Sequence, residues 1–162
     1  MLVLIKNVRF VLMVSLLVLL TESSNAQQFK TPRPSPNAVI NQVIGVTDVS
    51  IAYSRPGVKG RIIWGELVPF GEVWRTGANE VTSITFSDDV KINGNVLKAG
   101  TYGIHTLPGK DEWDIIFSGN TKVGGGSNFV KENEVLRLKV KPVMNSHIER
   151  LQFSFDDVDE KS

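Results

Sequence analysis

The residues best equipped for chemistry are crowded into one stretch. Trp74-Arg75-Thr76-Gly77-Ala78-Asn79-Glu80 sets a guanidinium beside an indole and follows them with an amide and a carboxylate. Arg55 and Trp64 stand a short way upstream. A guanidinium offers a planar fork of donors suited to carboxylate, phosphate or an array of sugar hydroxyls. An indole adds a flat apolar face for a sugar ring or a cation. Asn79 and Glu80 supply acceptors. Arg55, Trp64, Trp74, Arg75, Asn79 and Glu80 therefore form the candidate ligand-binding set, and His105, on a neighbouring expected strand, joins it. The same residues also have ordinary structural uses. Arg75 can pair with Glu72 or Glu80, the tryptophans can be core, and Thr76-Gly77-Ala78-Asn79 can be a tight turn.

Acid–base chemistry has one weak pair of candidates, Glu72 and Glu80, since a glycosidase needs two carboxyl groups roughly 5–10 Å apart across a cleft. Asp88-Asp89 reads as a solvated turn. There is no G-x-S-x-G elbow and no H-E-x-x-H. The two histidines, His105 and His147, lie far apart with no ligand spacing around them, so no metal site is expected. Gly124-Gly125-Gly126-Ser127-Asn128 lacks the spacing of a phosphate cradle and reads as a flexible linker, and no cofactor is expected.

Composition narrows the field further. The chain has 162 residues, no cysteine, 14 glycines and a net charge of +1. That length suits one domain. Absence of cysteine excludes disulfides, a thiolate zinc site, a cysteine nucleophile and a lipid-modified N-terminal Cys. Near-neutral charge removes the electrostatic argument for nucleic acid or an anionic membrane surface.

The first 26 residues read as an export signal: Lys6 and Arg9, an apolar run Phe10–Leu20 broken only by Ser15, then a polar stretch with small residues at Ser24 and Ala26. The uninterrupted apolar run is short of the ~20 residues of a spanning helix, so no stable membrane anchor is expected. Lys6, Arg9 and Glu22 fall inside this segment, and its removal takes the net charge from +1 to zero. The expected location is periplasmic or secreted. Residues 27–36, with prolines at 32, 34 and 36, read as an extended tether ahead of a domain spanning 37–162.

The elements that must position the candidates are strands. Val49, Ile51 and Tyr53 alternate with polar or small residues, as do Ile84 and Phe86, Val90 and Ile92, and Trp113, Ile115 and Phe117. So do Leu136, Leu138 and Val140, and Leu151, Phe153 and Phe155. Period two over short runs marks half-buried strands. Asn93-Gly94 between two such runs is a hairpin signal, and Pro108-Gly109 turns another pair. Only Ile62–Leu67 and Asn128–Asn133 suggest helical turns. The expected fold is all-β, an antiparallel sandwich or barrel-like domain.

Ser54-Arg55-Pro56, Lys59-Gly60-Arg61-Ile62-Ile63-Trp64-Gly65, the run Leu67–Glu80, Leu97–Ile104 and Trp113 together resemble the domain-of-unknown-function family numbered 2911. The resemblance covers about Ser35–Phe155. It implies an exported bacterial β-rich domain and carries no catalytic residues over. Members of that family continue into a further strand with a Trp-Glu pair and a basic residue, whereas this sequence stops at Ser162. The resemblance thus implies a missing last strand or an edge paired differently.

Three functions are compatible with these residues. The foremost is a non-catalytic binding module for a small polar ligand, carbohydrate-like or anionic, or for an envelope component. The others are a hydrolase using Glu72 and Glu80, and a structural or adaptor domain. Exposure of Trp64, Trp74 and Arg75 separates them.

Overall fold

The alternating runs pair as antiparallel ladders. The computed structural model describes residues 31–119, 121 and 129–156. The stretch expected to be an export signal, the glycine-rich stretch 124–128 and the last residues from 157 onward lie outside the described residues. Strands β1 (Asn37–Ile44), β2 (Thr47–Ser54), β3 (Ser83–Phe86), β4 (Val90–Ile92), β5 (Asn95–Leu97), β6 (Gly100–Leu107), β7 (Trp113–Ser118) and β8 (Glu134–Val140) follow in chain order. Six form one sheet, ordered β1-β2-β3-β6-β7-β8, and β4 and β5 form a separate hairpin. The sheet ends at β1 and β8 and does not close on itself. The domain is all-β and antiparallel, and the barrel alternative is set aside.

Register explains the core. Ile40 pairs with Ile51, Ile51 with Ile84, and Ile84 with Tyr102. Ile104 pairs with Phe117, and Phe117 with Leu136. Directly paired residues share a face, so these rows build one continuous apolar surface. Leu97 of the β4–β5 hairpin packs on it, as do Leu151, Phe153 and Phe155 of the C-terminal segment. The hairpin turn uses Asn93 and Gly94, both at positive φ (49° and 80°), as a two-residue primed turn requires.

Two expectations need correction. Leu151, Phe153 and Phe155 keep their alternation, half-buried against exposed Gln152 and Ser154, but this segment forms no strand. It is held by one backbone bond, from the Leu151 N–H to the Pro56 carbonyl, and by side chains: the Phe153 N–H donates to the Tyr53 hydroxyl, and the two rings meet edge to face at 4.8 Å. Ile62–Leu67 is not helical either. It is a turn in which the Val68 N–H donates to the Ile63 carbonyl and Gly65 takes a φ of +88°. The second helical suggestion narrows to a 3₁₀ turn, Lys131–Asn133.

The connection from β2 to β3, residues 55–82, is the longest described one. Connections beyond about 12–15 residues without regular structure are uncommon in compact domains and are usually functional when ordered. This one is ordered by β6. β3 covers only the first half of β6, and Trp74 continues the ladder by exchanging both backbone bonds with Thr106, at 2.7 and 2.9 Å. The Ile104 N–H donates to the Thr82 carbonyl at 2.7 Å. The segment bearing Trp74 and Arg75 is thereby fixed to the sheet.

Candidate functional site

A groove of about 930 Å³ opens between this connection and the segment 143–152 that follows β8. Its far end is tied by backbone bonds. The Val58 N–H donates to the Glu149 carbonyl (2.8 Å), the Leu151 N–H to the Pro56 carbonyl (3.1 Å), and Gly57 and Arg150 form a bridge. Pro34 and Ser35 complete the wall.

The charged residues of the lining are Lys59, Arg61, Arg75 and Arg150, with His147 beside them and no carboxylate. Their donors are only partly committed. Arg61 donates from Nε to the Val58 carbonyl (3.0 Å) and from Nη2 to the Gly57 carbonyl (2.6 Å). Arg150 donates from Nη1 to the carbonyls of Pro34 and Arg55, at 3.2 and 3.1 Å. None of the four cations forms an ion pair among the described residues. Glu149 is not a lining residue, but its carboxylate lies at the edge of the groove, 3.6 Å from His147 Nε2. It accepts the Lys59 backbone N–H (3.0 Å), which holds its carboxyl below the usual range.

Arg75 is the anomaly. Its Nε is buried and has no hydrogen-bond partner among the described residues. An unpaired buried donor costs about 1–3 kcal/mol, more for a charged group, so such groups call for an explanation. Next to it, Thr76 sits at φ +55°, a strained setting for a β-branched residue. The strain is held by burial. The Thr76 hydroxyl donates to Thr106 Oγ1 (3.2 Å), and the fully buried Thr82 hydroxyl donates to the Thr76 carbonyl (2.8 Å). Gly77 follows because a Cβ there would come within 2.9 Å of Thr82 Oγ1. This strained turn holds Arg75 beside the groove.

The tryptophans form one cluster. Trp64 meets Trp74 at 5.7 Å and Trp113 at 4.6 Å between ring centroids, both edge to face. Trp64 keeps 45% of its surface exposed.

The candidates thus divide. Trp64, Trp74 and Arg75 come together in the groove lining. Arg55 stands behind it, donating from Nε to the Leu151 carbonyl at 3.0 Å and fastening the C-terminal segment. Asn79, at φ +60°, is exposed outside the lining. Glu80 accepts from Arg33 Nη2 at 2.8 and 3.1 Å and from the Ser54 hydroxyl at 3.2 Å. The hydrogen bond from Arg33 holds its carboxyl below the usual range. Glu72 is exposed and outside the lining. His105 is 1% exposed, on the opposite face of the sheet, beneath the Phe129 ring at 5.3 Å. Burial lowers its pKa, and its Nδ1 has no partner among the described residues. No group of three or more acidic or histidine side chains that could hold a metal occurs among the described residues. No helix there is long and apolar enough to cross a membrane.

Lys59 and Arg61 stand out in the sequence only within the family-like block, and Arg150 does not stand out at all. Arg150 had no signal to offer, because its place depends on pairing with Gly57 across the fold.

Fold and groove define an open, antiparallel all-β domain with a cationic, tryptophan-bearing cleft. The chain belongs to the family described as Protein of unknown function (DUF2911), whose family model matches residues 35–162. Neither a curated protein nor a solved structure matches it.

Proposed function

We propose that this domain is a non-catalytic binding module for a small anionic ligand held in the groove. The observation that carries the reading is the composition of the lining: four side-chain cations, one with a buried unpaired donor, and no carboxylate. An anion would satisfy the Arg75 Nε–H by a charge-assisted hydrogen bond. Lys59, Arg61 and Arg150 would add favourable potential in a cleft whose apolar walls weaken screening. The backbone bonds made by Arg61 and Arg150 fix their guanidinium groups in advance, which lowers the ordering cost of binding. The basic, apolar and polar order of residues 1–26 supports an exported location.

Isothermal titration at constant ionic strength tests the reading with inorganic phosphate, acetate and a neutral disaccharide. Saturable binding of an anion that is lost in Arg75→Met is the expected result. Binding of the disaccharide with no response to either anion would overturn it.

A further inference from the structure

The groove joins its cations to an unusual concentration of exposed apolar side chains. Trp64, Leu67, Val143, Met144 and Ile148 all line it and are all substantially exposed, Leu67 at 52% and Met144 at 100%. Ile62, exposed as well, belongs to the same turn as Trp64 and Leu67, and exposed Phe70 follows it closely in the chain. Contiguous exposed apolar surface rimmed by polar groups marks a binding site. Cations alone would explain anion binding, but they leave these side chains without a use.

We infer that the ligand class is an anionic amphiphile, with a carboxylate or phosphate head at the arginines and an aliphatic body along the Leu67–Met144 walls. This inference rests on the anion-binding reading of the same groove and adds the apolar half of the ligand. Charge complementarity places the head, since every charged group in the lining that is ionised irrespective of pH near neutrality is a cation. The walls argue for a flexible aliphatic body. The two tryptophans of the lining, Trp64 and Trp74, stand at 76° to one another, so they present edges as well as faces, and Leu, Val, Met and Ile contribute the remaining contact. At about 930 Å³ the groove lies within the upper range of small-molecule sites, about 300–1,000 Å³.

The test is a titration series with sodium butanoate, hexanoate, octanoate and decanoate, each below its micelle concentration, alongside inorganic phosphate and uncharged 1-octanol. Transfer of one methylene from water predicts a gain of up to about fourfold in affinity per CH₂, and about twofold where the groove is open. Leu67→Asn, an uncharged polar change at an exposed wall position, should flatten the chain-length dependence. Arg75→Met should abolish the preference of octanoate over octanol. Equal affinity for butanoate and decanoate would overturn the amphiphile and leave the anion site standing. Equal affinity for octanoate and octanol would overturn the anion site itself. No binding by any probe overturns both.

Discussion

Replacing Arg75 with methionine should raise stability while removing binding. Methionine keeps the unbranched apolar stem and packs adaptably, but it carries no donor. The wild-type Nε–H is buried without a partner, a penalty of about 1–3 kcal/mol. Relief of part of it gives a net gain near 1 kcal/mol, about 3–5 °C in Tm for a domain of this size. Arg61→Met is the matched control with the opposite sign. Arg61 donates to the Gly57 and Val58 carbonyls, and hydrogen bonds of charged groups contribute about 1.5–3 kcal/mol when not fully exposed. Its loss should lower Tm by several degrees. Differential scanning calorimetry at pH 7 and urea titration measure both variants. A Tm for Arg75→Met several degrees below wild type would refute the reasoning, because the guanidinium would then be supporting the fold.

Other perturbations follow from buried contacts. Gly77→Ala drives a Cβ to 2.9 Å from Thr82 Oγ1 and 3.4 Å from the Ser54 carbonyl, both in fully buried surroundings, and should cost about 1–3 kcal/mol by urea unfolding. Tyr53→Phe removes the acceptor for the Phe153 N–H and should cost about 0.5–1.5 kcal/mol, with faster amide exchange at Phe153 as the local readout. His105 is buried, and its folded pKa lies below the unfolded value of about 6.5. The unfolded state therefore binds more protons in that window, and the His105 contribution, complete above pH 6.5, is lost as pH falls towards the folded pKa. His105→Gln should flatten that slope, measured as Tm against pH. Glu134, lowered mainly by its hydrogen bond from Arg137, acts in a separate acid window. Its contribution is present above the ordinary carboxylate value and lost below it, so Glu134→Gln should reduce the acid dependence of Tm below pH 4.5.

Strands were legible because alternation is a local property. Val49, Ile51 and Tyr53 declare a buried face whatever their partners, and Asn93-Gly94 declares its turn by backbone preference alone. The C-terminal alternation was misleading for the same reason: Leu151, Phe153 and Phe155 bury one face, but period two does not say whether the backbone finds a ladder. The candidate site was half legible. Trp74 and Arg75 were singled out by residue type, yet the block that carries them divides at Thr76. Positive φ at Thr76 and again at Asn79 turns the chain, leaving Trp74 and Arg75 in the groove and Glu80 with Arg33. The groove's other wall was illegible, since nothing near His147 or Arg150 announces that this segment lies against residues 56–58.

That remote closure also sets an order of events. The β1–β2 and β6–β7 pairs are joined by short turns and form from neighbours in the chain, whereas Arg150 reaches the Arg55 carbonyl across 95 residues. Closing so long a loop is entropically unfavourable and is rewarded only once the sheet exists to receive it. A groove closed in this way should assemble after the sheet and, by the same few contacts, open before it, a difference that amide exchange at Val58 and Leu151 against β2 and β6 would read.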